Sequence, residues 1–162
     1  MKWLVALRGD QSDLAALSYS LSNVELAITL HDDSYYLTSQ DFGENDTPDE
    51  VFAKAKDLVQ LITGASRLAL DSTEPISIAG IYKERGDGVR DIFIFPESIA
   101  ATSRVMAPTI SLSRPDGTVE EYHPADPVRE WVPLALRDEA TAKVLRIFAS
   151  DTGPKETGII IA

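Results

Sequence analysis

The sequence predicts a mixed α+β domain of 162 residues, and three observations support this prediction. Hydrophobic residues make up 44% and charged residues 25% of the chain, as in soluble globular domains. A chain of this length buries about 70% of its unfolded surface, which is enough for a core without disulfides or metals. Apolar residues recur with a period of two in some segments and at helical spacing in others. The sequence therefore contains both strands and helices.

Four segments of the first half have the apolar pattern of β-strands. The first is a continuous apolar run, which is typical of a central strand buried on both faces. A hairpin turn at residues 31–34 joins the second and third strands, because Asp tolerates turn geometry. The predicted strands cover residues 3–7, 24–30, 35–39 and 76–82.

Two helices are predicted between these strands. The first has leucines at helical spacing over residues 12–21. The second begins at Pro48, after a capping box formed by Thr47 and Glu50. It is predicted to end at Gly64, which would act as the C-terminal cap.

The predicted order is strand, helix, strand, strand, helix, strand, which is the order of ferredoxin-like βαββαβ folds. Each helix would cross the same face of an antiparallel sheet and bury its apolar stripe there. We therefore predict a single α+β domain over residues 1–162. It would consist of a ferredoxin-like core (1–84), a β-rich extension (85–125) and a helical segment with a terminal strand (126–162).

The extension is predicted to enlarge the sheet through further strands and a β-hairpin, whose turn is the Pro-Asp-Gly sequence at 115–117. Two C-terminal helices follow: a short one over 127–132, which Pro133 breaks or kinks, and one capped by Asp138. The remaining predicted strands cover residues 89–95, 102–107, 110–113, 119–122 and 158–162.

Charge is distributed unevenly along the chain. The net charge is −11, and residues 1–50 hold ten acidic residues but only Lys2 and Arg8 as basic ones. Such a surface repels nucleic acid and anionic lipid, since both are bound through lysine and arginine. We therefore predict no nucleic-acid partner and no membrane partner. The start of the chain lacks the apolar core of a secretory signal, so the predicted location is the cytoplasm.

The acidic residues most suited to a binding surface are Asp41, Glu44, Asp46 and Asp49. They predict a docking face for a basic protein, although such acids also serve simply to keep a protein soluble. A homodimer formed through a sheet edge is a second prediction, because exposed strand edges invite pairing. The predicted function is accordingly a protein-binding or regulatory module.

Catalytic signatures are scarce. The chain has no cysteine and only two histidines, His31 and His123, so thiolate sites and multi-histidine cages are excluded. The acids at 41–50 do not follow the EF-hand pattern, and we predict no metal and no cofactor. Short motifs for nucleotide binding, serine hydrolysis and zinc proteolysis are absent. The alternative function is an enzyme that uses carboxylates with a histidine, with or without Mg²⁺.

Overall fold

The computed structural model describes residues 1–95, 110–113, 119–122 and 125–150. This part of the chain is a mixed α+β structure with a five-stranded antiparallel sheet, a separate two-stranded sheet and four helices. The elements are, in order, β1 (Lys2–Arg8), α1 (Gln11–Ser20), β2 (Leu26–His31), β3 (Ser34–Ser39), α2 (Pro48–Leu70), β4 (Ser77–Glu84), β5 (Arg90–Phe93), β6 (Ile110–Ser113), β7 (Val119–Tyr122), α3 (Val128–Arg137) and α4 (Glu139–Ala149).

The five-stranded sheet has the order β2-β3-β1-β4-β5, and every pair of neighbouring strands is antiparallel. The apolar run of β1 lies at the centre, as its sequence predicts. Val5 of this strand faces Leu37 of β3 on one side and Ile81 of β4 on the other, and all three are fully buried. A β-bulge in the β1–β4 pair lies between Ala6 and Leu7.

All four helices contribute to one core on a single face of the sheet. On β1 this face carries Trp3, Val5 and Leu7, and the helices bury their apolar side chains against it. The opposite face holds a smaller cluster around Leu4 and Ala6 of the same strand. The fully buried large side chains of the core are Val5, Leu14, Leu17, Leu21, Leu26, Ile28, Leu37, Val51, Ile62, Ile81, Val128 and Val132.

Helix α2 starts as predicted, but it ends later. The Thr47 hydroxyl accepts from the Glu50 backbone N–H, and the Glu50 carboxylate accepts from the Thr47 N–H at 2.8 Å, which completes the capping box. The helix continues beyond Gly64 to Leu70, so the predicted cap at Gly64 is wrong. Gly64 instead marks the place where α4 crosses α2: a methyl group there would overlap the backbone carbonyl of Leu145.

Helix α4 lies beside α2 and runs in the same direction. Gly64 contacts Leu145, and one helical turn later the Arg67 guanidinium donates to the carbonyls of Phe148 and Ser150 at 3.0 and 2.9 Å. This guanidinium thus fixes the end of α4 to α2. Asp138 caps α4 as predicted, with its carboxylate accepting from the Thr141 N–H at 2.8 Å.

Two expectations about the C-terminal half are corrected. Helix α3 continues through Pro133 to Arg137, because packing of Val128 and Val132 in the core outweighs the hydrogen bond that proline removes. Of the predicted extension, β5 enlarges the main sheet, whereas β6 and β7 pair with each other in a sheet of their own. The predicted strands at 102–107 and 158–162 lie outside the described residues.

A buried carboxylate at the start of α1 makes the stability of the fold depend on pH. Burial raises the pKa of Asp13 above its ordinary value of 3.8, and Asp10 and Glu74 act in the same direction. A hydrogen bond of 2.5 Å from the Ser72 hydroxyl opposes this shift in the pKa. The folded state therefore binds the Asp13 proton more tightly than the unfolded state does.

We expect Asp13→Asn to change the pH profile of stability in a defined direction. Because the folded pKa is raised, the Asp13 contribution to unfolding free energy falls as pH rises from 3.8 through the folded pKa. The variant has no carboxyl group at this position and does not lose this contribution. Its free energy of unfolding, relative to the parent, should therefore increase as pH rises from 3.8 through the folded pKa of Asp13. Urea unfolding at a series of pH values measures the difference. A difference that does not change with pH would contradict the assignment.

Candidate functional site

The acidic loop, residues 41–46, connects β3 to α2 and has a fixed shape. The Trp3 indole Nε1 donates to the Gly43 carbonyl at 2.9 Å, and the Lys83 ammonium donates to the Glu44 carbonyl at 3.1 Å. Phe42 is buried in the core below the loop. The loop is therefore held by β1, β4 and the core, and its acids have defined positions.

Asp46 has a structural role within this loop. Its carboxylate accepts from the Lys54 ammonium at 2.7 Å and from the Gly43 N–H at 2.7 Å. The bond from Lys54 is the largest of the effects that lower the pKa of Asp46. Lys54 also donates to the carbonyl of Asp41 at 2.9 Å, so one ammonium group joins the two ends of the loop to α2.

We expect Lys54→Met to raise the pKa of Asp46 toward the ordinary value of 3.8, because the variant removes the main partner of the carboxylate. A carboxyl-detected NMR titration of the variant and the parent measures this shift in the pKa. Lys143→Met is the matched control, since Lys143 is exposed on α4 and makes no contact with the loop among the described residues. Equal pKa values for Asp46 in all three proteins would contradict the assignment.

The other three predicted site residues lie on the surface. Asp41, Glu44 and Asp49 are exposed. Among the described residues, the one ion pair that any of them forms is between the Glu44 carboxylate and the terminal amine of Met1, 3.8 Å apart. The structure thus joins Asp41 and Asp46 through Lys54. In the part of the chain that the structure describes, Asp49 shares no hydrogen bond or ion pair with the other three.

A groove of about 390 Å³ lies between α2 and the C-terminal helices. We call it the α2–α4 groove. Its floor is apolar, and charged groups surround its rim. No local pattern in the sequence indicates this groove, because it depends on small residues of α3 and α4 packing near α2. It is lined by Asp41, Lys54, Asp57, Leu58, Leu61, Ala135, Leu136, Glu139, Ala142 and Arg146.

The cations of this groove already have partners. Lys54 is bound to Asp46, and Arg146 lies 3.2 Å from Glu139. Among the described residues, the carboxylates of Asp41 and Asp57 have no ion-pair partner. The groove therefore combines an apolar floor with uncompensated negative charge on its rim.

A second cavity, of about 360 Å³, lies on the other side of α2, between this helix and the start of β4. Its lining is mainly apolar and includes Phe52, Val59 and Ile76. The ring of Phe52 stacks on Phe95, with centroids 4.2 Å apart. Asp57 lines both the α2–α4 groove and the second cavity, so it lies on the part of α2 that separates them.

His31 lies at the exposed β2–β3 hairpin, and its Nε2 is 3.1 Å from the Asp32 carboxylate. It lines neither the α2–α4 groove nor the second cavity. His123 lies outside the described residues. Within the described ranges, no group of three histidine or acidic residues is arranged to hold a metal ion. None of the described helices has the length and apolar character needed to cross a membrane.

Comparisons with known proteins give no match: no family model, no curated protein and no solved structure is significantly similar to this chain.

Proposed function

We propose that this protein is a cytoplasmic binding module that recognises a basic protein through an acidic face. The face consists of Asp41, Glu44 and Asp49, together with Asp57, which lies about two turns after Asp49 on α2. The observation that carries the proposal is the loop of residues 41–46: the carboxylates of Asp41 and Glu44 are exposed, while the loop backbone is bound by Trp3, Lys54 and Lys83.

A fixed acidic loop favours association for two physical reasons. Binding to a preformed surface avoids the entropy loss of ordering a flexible loop. The negative field also accelerates the encounter with a positively charged partner, and salt weakens this effect. Of the predicted face, Asp46 is the exception, because its charge is already balanced by Lys54.

The proposal can be tested with a library of random short peptides displayed on phage. Binders are selected on the parent protein and compared on a triple variant, Asp41→Asn, Glu44→Gln and Asp49→Asn. We expect enriched peptides to be rich in lysine and arginine, and the variant to weaken their binding roughly tenfold. Affinity should also fall as salt concentration rises.

The matched control makes the same change in net charge elsewhere, through Asp32→Asn, Asp33→Asn and Asp87→Asn. Asp32 and Asp33 have positive φ angles of 48° and 59°, which asparagine tolerates well. Asparagine at 87 can still accept from the Val89 N–H. The proposal fails if the selected peptides lack basic residues, or if both triple variants weaken binding equally.

We also propose that residues 1–84 form a ferredoxin-like core. The element order and the position of α1 and α2 on one sheet face support this proposal. β5, outside β4, and helices α3 and α4 would then be additions to that core. A homodimer through the β2 or β5 edge and a histidine–carboxylate enzyme stay predictions, and the exposed position of His31 gives the enzyme no support.

A further inference from the structure

We propose that two copies of this chain form a dimer by antiparallel pairing of their β5 strands, with the two-fold axis at Ile92. This pairing joins the two five-stranded sheets into one continuous sheet. The surface involved is separate from the proposed function, because the acidic face contains no residue of β5. The proposal also selects one of the two edges of the described sheet, which are β2 and β5.

The outer edge of β2 is already bound by the chain that precedes this strand. The Ile28 N–H donates to the Leu21 carbonyl at 2.9 Å. The Leu26 N–H donates to the side-chain oxygen of Asn23 at 2.8 Å. These two N–H groups lie on the side of β2 that faces away from β3, so a second chain could pair here only by displacing their partners.

The outer edge of β5 pairs with no other strand in the described part of the chain. Its apolar side chains are accessible, since Ile92 is 59% and Ile94 is 72% exposed. Ile92 lies opposite Tyr82 of β4, which packs on the small cluster around Leu4 and Ala6. Ile92 is therefore on the face of the sheet opposite the helices. An edge strand with exposed apolar side chains is the kind of edge that pairs with another chain.

The charged residues of β5 do not protect this edge, although charges on an edge strand normally oppose pairing. The Asp91 carboxylate accepts from the Arg85 guanidinium at 2.7 and 2.9 Å, and Arg90 lies 3.3 Å from Glu84. The Arg90 guanidinium also lies 5.7 Å from the ring centroid of Tyr36 in β3, so it points toward the centre of the sheet. Both charges of the strand are thus balanced within one chain and directed away from a second copy.

The pairing rules for strands exclude the other positions of the axis along β5. A two-fold axis perpendicular to the sheet aligns the faces of the two copies, so each residue lies opposite one from the same face. An axis at Arg90 or at Asp91 would place two like charges opposite each other, which is unfavourable. An axis at Phe93 would require Phe95 to lie beside Asp91 of the second copy. However, β5 ends at Phe93, and the Phe95 ring stacks on Phe52 of α2 at 4.2 Å.

An axis at Ile92 avoids these conflicts. The two Ile92 side chains meet at the axis, and Ile94 of each copy lies opposite Arg90 of the other. The methylene groups of Arg90 can cover Ile94 while its guanidinium keeps its bond to Glu84. Backbone groups on the outer side of β5 gain hydrogen-bond partners in the second copy.

The interface formed in this way is small, because only residues 90–94 of each chain pair. Interfaces that bury less than about 1,200 Å² are typical of weak and transient complexes. We therefore expect a dissociation constant on the order of 100 µM. The net charge of −11 on each copy adds repulsion at long range, so the dimer should become stronger as salt concentration rises. Binding of a basic peptide to the acidic face has the opposite salt dependence, so the two proposals can fail independently.

The first test is analytical ultracentrifugation of the full chain from about 10 µM to about 1 mM. We expect a monomer–dimer equilibrium for the parent and at least about tenfold weaker association for Ile92→Lys, because two ammonium groups would meet at the axis. Leu30→Lys on β2 is the matched control, since Leu30 is 57% exposed, and this variant should dimerise like the parent. A parent that is monomeric over the whole range, or equal association of all three proteins, would overturn the proposal.

The second test uses single cysteines, which are specific because the chain has none of its own. Ile92→Cys places two thiols opposite each other at the axis, where the Cα separation of about 4.5–5.5 Å suits a disulfide. The control is Thr29→Cys, because Thr29 is exposed on the same face of the β2 edge strand, opposite Tyr36. We expect mild oxidation to cross-link Ile92→Cys at least about tenfold faster than the control. Equal rates, or faster cross-linking of Thr29→Cys, would reject the β5 dimer.

Discussion

Gly64→Ala is expected to destabilise the protein by about 2 kcal/mol or more, although alanine is the better helix former. In an exposed helix interior this exchange stabilises by about 1 kcal/mol. At the α2–α4 crossing, however, the new methyl group would overlap the Leu145 carbonyl, which is backbone and cannot rotate away. Overpacking of this kind costs about 1–3 kcal/mol and sometimes more. Urea unfolding followed by circular dichroism measures the change.

Gly86→Ala is the control for this variant. Gly86 has no heavy atom within 4 Å of the position of an added methyl group, and its φ angle is not positive. The free energy of unfolding of the Gly86→Ala variant should differ from that of the parent by less than about 0.5 kcal/mol. The sign of the Gly64 result decides between two structures: a stabilised Gly64→Ala protein would mean that α4 does not cross α2 at this residue.

Trp3→Ala is expected to cost about 3–5 kcal/mol, the usual range for removing a large buried aromatic side chain. The indole is 3% exposed and packs near Phe93, at 6.0 Å between ring centroids. It also holds the acidic loop through the bond to the Gly43 carbonyl. Trp3→Phe keeps most of the apolar volume and removes the N–H donor, so it should cost less, about 2 kcal/mol.

The decisive measurement for Trp3→Phe is local. Hydrogen exchange at the Gly43 amide, which donates to Asp46, should accelerate because the loop has lost one of its supports. Trp131→Phe is the control: it removes an indole that packs against the same core, and exchange at Gly43 should be unchanged. If Gly43 exchanges equally in Trp3→Phe and the parent, the indole does not hold the loop.

Local signals in the sequence predict the first half of the fold well. The apolar run of β1, the leucines of α1 and the capping box of α2 depend on residues close together in the chain. Their positions follow from periodicity and capping chemistry, which need no knowledge of distant contacts.

Features that depend on contacts between residues far apart in the chain, such as the end of α2, are harder to predict from the sequence. Glycine is the residue that most often caps a helix at its C-terminus, but the role of Gly64 is set by its contact with Leu145 of α4, about 80 residues later in the chain. Proline generally breaks a helix, yet core packing keeps α3 continuous through Pro133. The candidate site follows the same division: the acids of the loop are visible in the sequence, whereas the pairing of Asp46 with Lys54 and the groove beside them are not.

The common direction of α2 and α4 has an electrostatic consequence. The register of the pair places the start of α4 beside the middle of α2, because Gly64 contacts Leu145 and Arg67 binds the carbonyls of Phe148 and Ser150. The two helices therefore share only their C-terminal ends, where partly negative carbonyls lie close together and repel each other. The guanidinium of Arg67 lies in the last turn of α2 and binds the final carbonyls of α4, so its positive charge offsets the repulsion at this shared end.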